Sequence, residues 1–133
     1  MTEDEIEIRD LIASYALALD AGDVDACVRL FTTDAEFLVY GRIFAGHDDI
    51  GKMFHDAPRG LHLTGVSRVE VHGEPADTAR ARSQVLFVRA GDLHLRPALY
   101  DDELVRDGEQ WRFRRRRCRF ITGHGLADSP QDR

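Results

Sequence analysis

The chain has 133 residues, a formal net charge of −6 at pH 7, 43% hydrophobic residues and 32% charged residues. This length predicts one domain, because either half alone would bury too small a core. No apolar run approaches the roughly 18 residues that a membrane-spanning helix needs. A negative net charge disfavours nucleic acid, because phosphate binding requires a cationic surface. We therefore expect neither a membrane nor a nucleic-acid partner.

The N-terminal residues and the cysteines bear on the compartment. Residues 1–5 are acidic, whereas a secretory signal begins with positive charge and an apolar run. Cys27 and Cys118 lie far apart in the sequence, and neither has a CxxC companion. We expect a cytoplasmic protein in which both cysteines are reduced packing residues.

The first third of the chain has a helical pattern. Thr2 and Glu5 form a capping box, and apolar residues then recur every three or four positions, which predicts a helix over residues 3–20. Gly22 ends this helix, and Asp23 can cap a second, shorter one.

Two further elements precede the long strands. Residues 36–44 are β-branched and aromatic around Gly41 and predict a short hairpin or bent strand. A third helix, carrying Phe54, is expected to begin at Asp48 or Asp49 and to stop near Pro58 and Gly60.

The remainder of the chain has the pattern of long strands. Turn residues separate four strands, predicted over residues 61–72, 78–89, 93–106 and 111–122. Helices followed by antiparallel strands predict an α+β domain with a curved sheet wrapped around helices. We expect this single domain to span residues 1–123 and residues 124–133 to form a flexible tail.

Four segments resemble the SnoaL-like branch of the NTF2-like superfamily. They read YALALDAGD, LFTTDA, FAG and ELVRDGEQWRF, at residues 15–23, 30–35, 44–46 and 103–113. The resemblance covers nearly the whole chain and implies a cone of strongly curved, mostly antiparallel sheet that encloses N-terminal helices. The superfamily hosts dehydratases, isomerases, polyketide cyclases, epoxide hydrolases, dioxygenase β subunits and noncatalytic carriers. The fold therefore does not fix the reaction.

The resemblance also implies a catalytic dyad. Scytalone dehydratase and the bile acid 7α-dehydratases are similar in placing an Asp at the end of the first helix against a His at the start of the first long strand. Asp20 and His62 stand at those positions, and Tyr15 falls where the bile acid enzymes have a catalytic Tyr. In this role Asp20 fixes the tautomer, His62 is the base and Tyr15 donates a hydrogen bond. The alternatives are a capping Asp20, a packed or exposed His62 and a Tyr15 that only fills the core.

Ketosteroid isomerase also resembles the opening of the chain, with its oxyanion-hole tyrosine at Tyr15. Its general base would fall at about Val39, which cannot accept a proton, so that mechanism is disfavoured. Its protonated Asp aligns loosely with Asp102. The candidate substrate-binding residues are Tyr40, Phe54, Tyr100 and Asp102.

Metal and nucleophile patterns are missing from the sequence. His47 and His55 are eight residues apart, and no HxH, HxxxH or HExxH pattern occurs. No serine lies in a nucleophile elbow. We expect no metal and no cofactor.

The arginine run at residues 114–117 alternates along a predicted strand. Its members either face solvent and a subunit interface, or one of them, Arg115 or Arg117, reaches the cavity and binds an anionic group.

The combined prediction is a cofactor-independent lyase or isomerase that transfers a proton on a small apolar cyclic or polyketide-like compound. The alternative is a noncatalytic ligand-binding protein or a partner subunit resembling a dioxygenase β chain. An open curved sheet needs a covered face, which favours a homodimer or homotrimer.

Overall fold

A computed structural model of the protein describes residues 1–130. Its elements, in chain order, are α1 (Glu3–Asp20), α2 (Val24–Val28), β1 (Phe31–Val39), β2 (Arg42–Ala45), α3 (Gly46–Asp56), β3 (Gly60–His72), β4 (Thr78–Arg89), β5 (Leu95–Asp107), β6 (Gln110–Thr122) and β7 (Gly125–Ala127). None of the helices in this part of the chain is long and apolar enough to cross a membrane.

The two N-terminal helices begin at the predicted caps. The Thr2 hydroxyl accepts from the Glu5 N–H at 3.2 Å at the start of α1, and the Asp23 carboxylate accepts from the Ala26 N–H at 3.1 Å at the start of α2. The apolar stripe of α1 is buried, as its spacing predicts. The third helix differs from the prediction, because α3 begins at Gly46 and has no side-chain cap.

The strands form one strongly curved sheet in the order β2-β1-β6-β5-β4-β3, with β7 added to β6. Every pairing is antiparallel except that of β1 with β6. The helices pack against this sheet, and a single apolar core lies between them. The predicted α+β class, with helices enclosed by a bent and mostly antiparallel sheet, is confirmed.

A β-bulge in β6 decides which arginine enters the core. Phe113 pairs with Leu104 of β5, but Arg115 pairs with the next residue, Glu103, so Arg114 is an extra residue on β6. The bulge reverses the alternation, and Arg116 points inward with no exposed surface. Arg115 and Arg117 remain exposed. The expectation that Arg115 or Arg117 reaches the cavity is therefore wrong.

The C-terminal segment differs from the flexible tail expected at residues 124–133. Gly125–Ala127 form β7, in which Leu126 pairs with Ile121. Two contacts hold the next residue: the Tyr40 N–H donates to the Asp128 carbonyl at 3.0 Å, and Arg117 forms a 3.1 Å ion pair with the Asp128 carboxylate. The last three residues of the expected tail lie outside the described residues.

Candidate active site

The end of α1 and the start of β3 meet through the side chain of Asp20. One carboxylate oxygen lies 2.6 Å from Nδ1 of His62, and the other accepts from the His62 backbone N–H at 2.8 Å. A carboxylate can only accept at these distances, so Nδ1 carries the proton and Nε2 keeps its lone pair. The two donors also compensate for the unfavourable position of an acid at a helix C-terminus.

The turn after α1 ends the helix at Asp20 and leaves its side chain directed toward β3. Gly22 adopts φ +76°, a conformation that glycine tolerates without strain. In this turn the Gly22 N–H donates to the Leu19 carbonyl at 3.0 Å and the Asp23 N–H to the Ala18 carbonyl at 2.9 Å. The helix therefore ends at Asp20, the residue whose carboxylate contacts both the backbone and the ring of His62.

Phe87 of β4 holds the His62 ring from one side. The two residues are paired across the strands, and their ring centroids are 4.7 Å apart. Gly60 makes this packing possible, because a Cβ there would lie 2.3 Å from the Val88 carbonyl oxygen and 2.7 Å from the Phe87 ring. The imidazole is thus fixed by a carboxylate at one nitrogen and by an aromatic ring.

Burial and charge set the protonation of His62. Its side chain is 14% exposed. Burial lowers the pKa of His62 below its usual value, Asp20 opposes this shift, and the buried Arg116 guanidinium contributes to it. His62 is therefore neutral at pH 7 and can act as a base.

An apolar cavity of about 160 Å³ opens beside this dyad. It is lined by Tyr15, Leu19, Phe37, Val39, Tyr40, Met53, Phe54, His62, Val85, Phe87, Tyr100, Cys118 and Phe120, with Arg59 and Arg96 among the remaining lining residues. Burial raises the pKa of Cys118 to about 12 against the opposing charge of Arg116, so this thiol stays protonated. Cys27 is likewise free and buried.

Tyr15 lies among aromatic rings in this cavity. Its ring centroid is 6.5 Å from that of His62 and 5.8 Å from that of Tyr100, and both contacts are edge-on. Burial raises the pKa of Tyr15 well above its usual value, Tyr100 adds to the rise, and Arg116 opposes it. Tyr15 is therefore a protonated phenol at neutral pH, which can donate a hydrogen bond.

A buried ion pair supports the two tyrosines from behind. The Arg116 guanidinium carbon lies 3.6 Å from the Tyr100 ring centroid and 4.2 Å from that of Tyr15, in cation–π geometry. Its Nε is 3.1 Å from a carboxylate oxygen of Asp102, without the alignment of a hydrogen bond. Burial raises the pKa of Asp102 to about 7, and Arg116 opposes the rise.

Most of the predicted site residues lie at the cavity. Tyr15, His62, Tyr40, Phe54 and Tyr100 all line the cavity, and Asp20 reaches it through His62. Their catalytic and binding roles stay predictions.

Asp102 differs from the prediction. It was expected to bind substrate, but it is buried beside Arg116 and is not among the residues that line the cavity.

Three arginines at or behind the site were not predicted from the sequence. Arg116 faces inward only because of the bulge in β6, which the regular alternation of a strand does not predict. Arg96 shares strand phase with Ala98 and Tyr100, so the alternation of β5 could have identified it as inward-facing. Arg59 precedes β3 and carries no sequence signal of its own. Within residues 1–130, no three His, Cys, Asp or Glu side chains converge as a metal site.

Comparison with known proteins identifies the class. The SnoaL-like domain model matches residues 1–117, and the chain therefore belongs to the SnoaL-like family, with the NTF2-like, cystatin-like fold.

Individual relatives are similar over most of their length. The Mycobacterium tuberculosis protein Rv2910c, described as uncharacterized, is 30% identical over 85% of this chain and 82% of its own. An NTF2-like protein from Novosphingobium aromaticivorans superposes with a TM-score of 0.81 and 29% identity, covering 91% of this chain and 84% of its own. A candidate scytalone dehydratase from the same organism gives a TM-score of 0.78 over 98% of this chain and 94% of its own, at 23% identity. This last likeness establishes the fold alone.

Proposed function

We propose that the protein is a cofactor-independent lyase or isomerase that transfers a proton on a small, largely apolar ring compound. The observation that carries the proposal is the double contact of Asp20 with the ring and backbone of His62, at 2.6 and 2.8 Å, beside an apolar cavity. This arrangement has the parts of a tautomer-fixed general base.

In the first step, Nε2 of His62 removes a proton from a carbon next to a carbonyl group. The C–H electron pair forms a C=C bond as the carbonyl π pair moves to oxygen, and His62 becomes the imidazolium. Asp20 stabilises that cation across the 2.6 Å contact. The Tyr15 hydroxyl hydrogen-bonds the enolate oxygen, where negative charge develops.

The second step distinguishes the two reaction classes. In a dehydration, the enolate pair re-forms the carbonyl and expels a β-hydroxyl group, which takes the proton from the His62 imidazolium and leaves as water. In an isomerisation, the same proton returns to another carbon. Both routes restore neutral His62 and need no electron acceptor.

The dimensions of the cavity limit the substrate. A cavity of about 150 Å³ accommodates a benzene ring in a protein interior, and the cavity here measures about 160 Å³. It therefore suits one small ring system, with any larger part at the open mouth.

The test is a panel of β-hydroxy ketones and polyketide-like cyclic compounds, assayed for dehydration or isomerisation with the wild type and His62→Ala. We expect turnover in the wild type and a loss of at least about 10³-fold in the variant. His72→Ala is the matched control, because His72 ends the same strand and is exposed. Equal turnover in His62→Ala and the wild type would remove His62 from the mechanism. Ligand binding without product for the whole panel would favour a noncatalytic binding protein.

We further propose that the outer face of the sheet contacts a second copy of the chain. Exposed apolar side chains of four strands, β3, β5, β6 and β7, lie on that face, namely Leu61, Leu63, Leu95, Ile121 and Leu126. Beside them the same face carries arginines interspersed with acids, including Arg80, Arg115, Glu70 and Glu103. A two-fold axis through such a face would bury the apolar part and pair opposite charges.

Sedimentation velocity tests this contact. We expect a dimer for the wild type and for Leu17→Arg, a matched change of an exposed leucine on α1, and a monomer for Leu63→Arg. A dimer that persists in Leu63→Arg would place the interface elsewhere.

A further inference from the structure

The charged side chains that line the cavity are positive, whereas the net charge of the chain is negative. The protein carries 24 acidic and 18 basic residues, yet the ionic side chains among the described residues lining the cavity are Arg59 and Arg96, with no Asp or Glu. The Asp20 carboxylate is directed to His62 and is not part of the lining. An apolar cavity whose fixed charges are all cationic favours an anionic ligand.

Arg96 projects from the sheet side of the cavity. His62 pairs with Phe87, and Phe87 pairs with Arg96, so these three residues form one row across β3, β4 and β5. All three line the cavity. Two strand spacings separate the His62 and Arg96 backbones by about 10 Å, a gap that a small ligand between the two side chains can bridge. Arg96 is half-buried, which strengthens its interaction with an anion.

Arg59 lies on the helix side of the same opening. Its guanidinium is over Gly22, where an added Cβ would be 2.8 Å from one of the terminal nitrogens. Gly22 follows Asp20 by two residues and Arg59 precedes His62 by three, so the same two elements that build the dyad also place this cation. Arg59 and Arg96 both lie at the end of the sheet where β3 begins.

We propose that the natural ligand of the cavity is a small apolar ring compound with an ionised acidic group, and that Arg59 and Arg96 bind this group at the mouth. The inference rests on the proposed function, because it assumes that the cavity is the binding site. The apolar ring enters among Tyr15, Phe37 and Phe54, and the acidic group stays at the rim, where guanidinium groups form charge-assisted hydrogen bonds.

This assignment replaces the one expected from the arginine run. Arg115 and Arg117 lie on the outer face of the sheet, and Arg116 is enclosed by aromatic rings and Asp102. None of these three lines the cavity.

The experiment compares two probes of the same shape, 2-naphthoate and its neutral isostere 2-naphthamide, by isothermal titration calorimetry at low ionic strength. We expect the wild type to bind naphthoate about tenfold more tightly than the amide, a typical effect of one charge-assisted contact. Arg96→Gln and Arg59→Gln should each reduce this preference while leaving the affinity for the amide within about twofold. Arg80→Gln, on the outer face, is the matched control and should keep the full preference.

The outcomes separate the inference from the proposed function. Equal binding of both probes by the wild type would overturn the anionic-ligand inference and leave proton transfer on neutral compounds intact. An equal loss of both probes in Arg96→Gln would show that Arg96 only maintains the cavity, which also contradicts the inference. Failure of both probes to bind the wild type would count against the cavity as the binding site and hence against both proposals.

Discussion

Asp20→Asn is the sharpest test of the dyad, because the substitution keeps the shape of the side chain and removes one acceptor. Asp20 uses both oxygens, one toward Nδ1 of His62 and one toward the His62 backbone N–H. The backbone N–H can only donate, so the single oxygen of Asn must face it. The amide NH₂ then faces Nδ1 and forces the imidazole proton onto Nε2. The nitrogen that should accept the substrate proton is thereby blocked.

We expect this tautomer change to lower kcat by about 10³- to 10⁴-fold. The equivalent Asp-to-Asn change in a hydrolase with a Ser-His-Asp triad lowers kcat about 10⁴-fold. The free energy of unfolding should fall by no more than about 2 kcal/mol, because one of the two hydrogen bonds is kept. The matched control is Asp23→Asn, three residues further on. Asp23 caps α2, and Asn is an equally good cap, so both stability and turnover should be retained.

The measurements are turnover of the most active panel compound and the imidazole ¹⁵N shifts, which report the tautomer without any substrate. The pH profile adds a third observation. Turnover requires neutral His62 and falls below its pKa, which burial lowers and Asp20 raises. The acid limb of kcat/KM should therefore lie below the usual histidine range and move lower still in Asp20→Asn. A variant that keeps the Nδ1–H tautomer, or whose kcat stays within tenfold of the wild type, would refute the reasoning.

Three further predictions concern the groups behind the dyad. Tyr15→Phe should lower kcat about 10²-fold with little change in melting temperature, because only the donated hydrogen bond is lost; an unchanged kcat would make Tyr15 a packing residue. Arg116→Met should lower the free energy of unfolding by about 3–5 kcal/mol in denaturant titrations by leaving Asp102 unpaired, whereas Arg116→Met/Asp102→Leu should recover most of it; equal losses in both variants would refute the ion-pair argument. Burial raises the pKa of Asp102 to about 7, so the native protein binds a proton that the unfolded chain has lost. The free energy of unfolding of the wild type should therefore fall, relative to that of the double variant, as the pH rises from about 4 to about 7. Parallel stability curves would contradict that direction.

Local patterns predicted the elements that carry the dyad because each depends on neighbours in sequence. The period of α1 and its stop at Gly22 place Asp20 at a helix end, and strand alternation sets His62 opposite to Leu61 and Leu63, which are exposed on the outer face. The contact between Asp20 and His62 joins residues 42 positions apart. No period predicts such a contact, and it was expected only from the family resemblance.

The error at the arginine run has a physical cause that was visible in the sequence. Trp111 and Phe113 occupy odd positions, whereas Cys118 and Phe120 occupy even ones, and all four are buried. A regular strand cannot bury both sets, because its side chains alternate with a period of two. One residue must therefore be inserted between the two sets, and the bulge at Arg114 supplies it. Once the phase is taken from the later pair, Arg116 becomes the inward arginine, and Arg115 and Arg117 turn to the outer face.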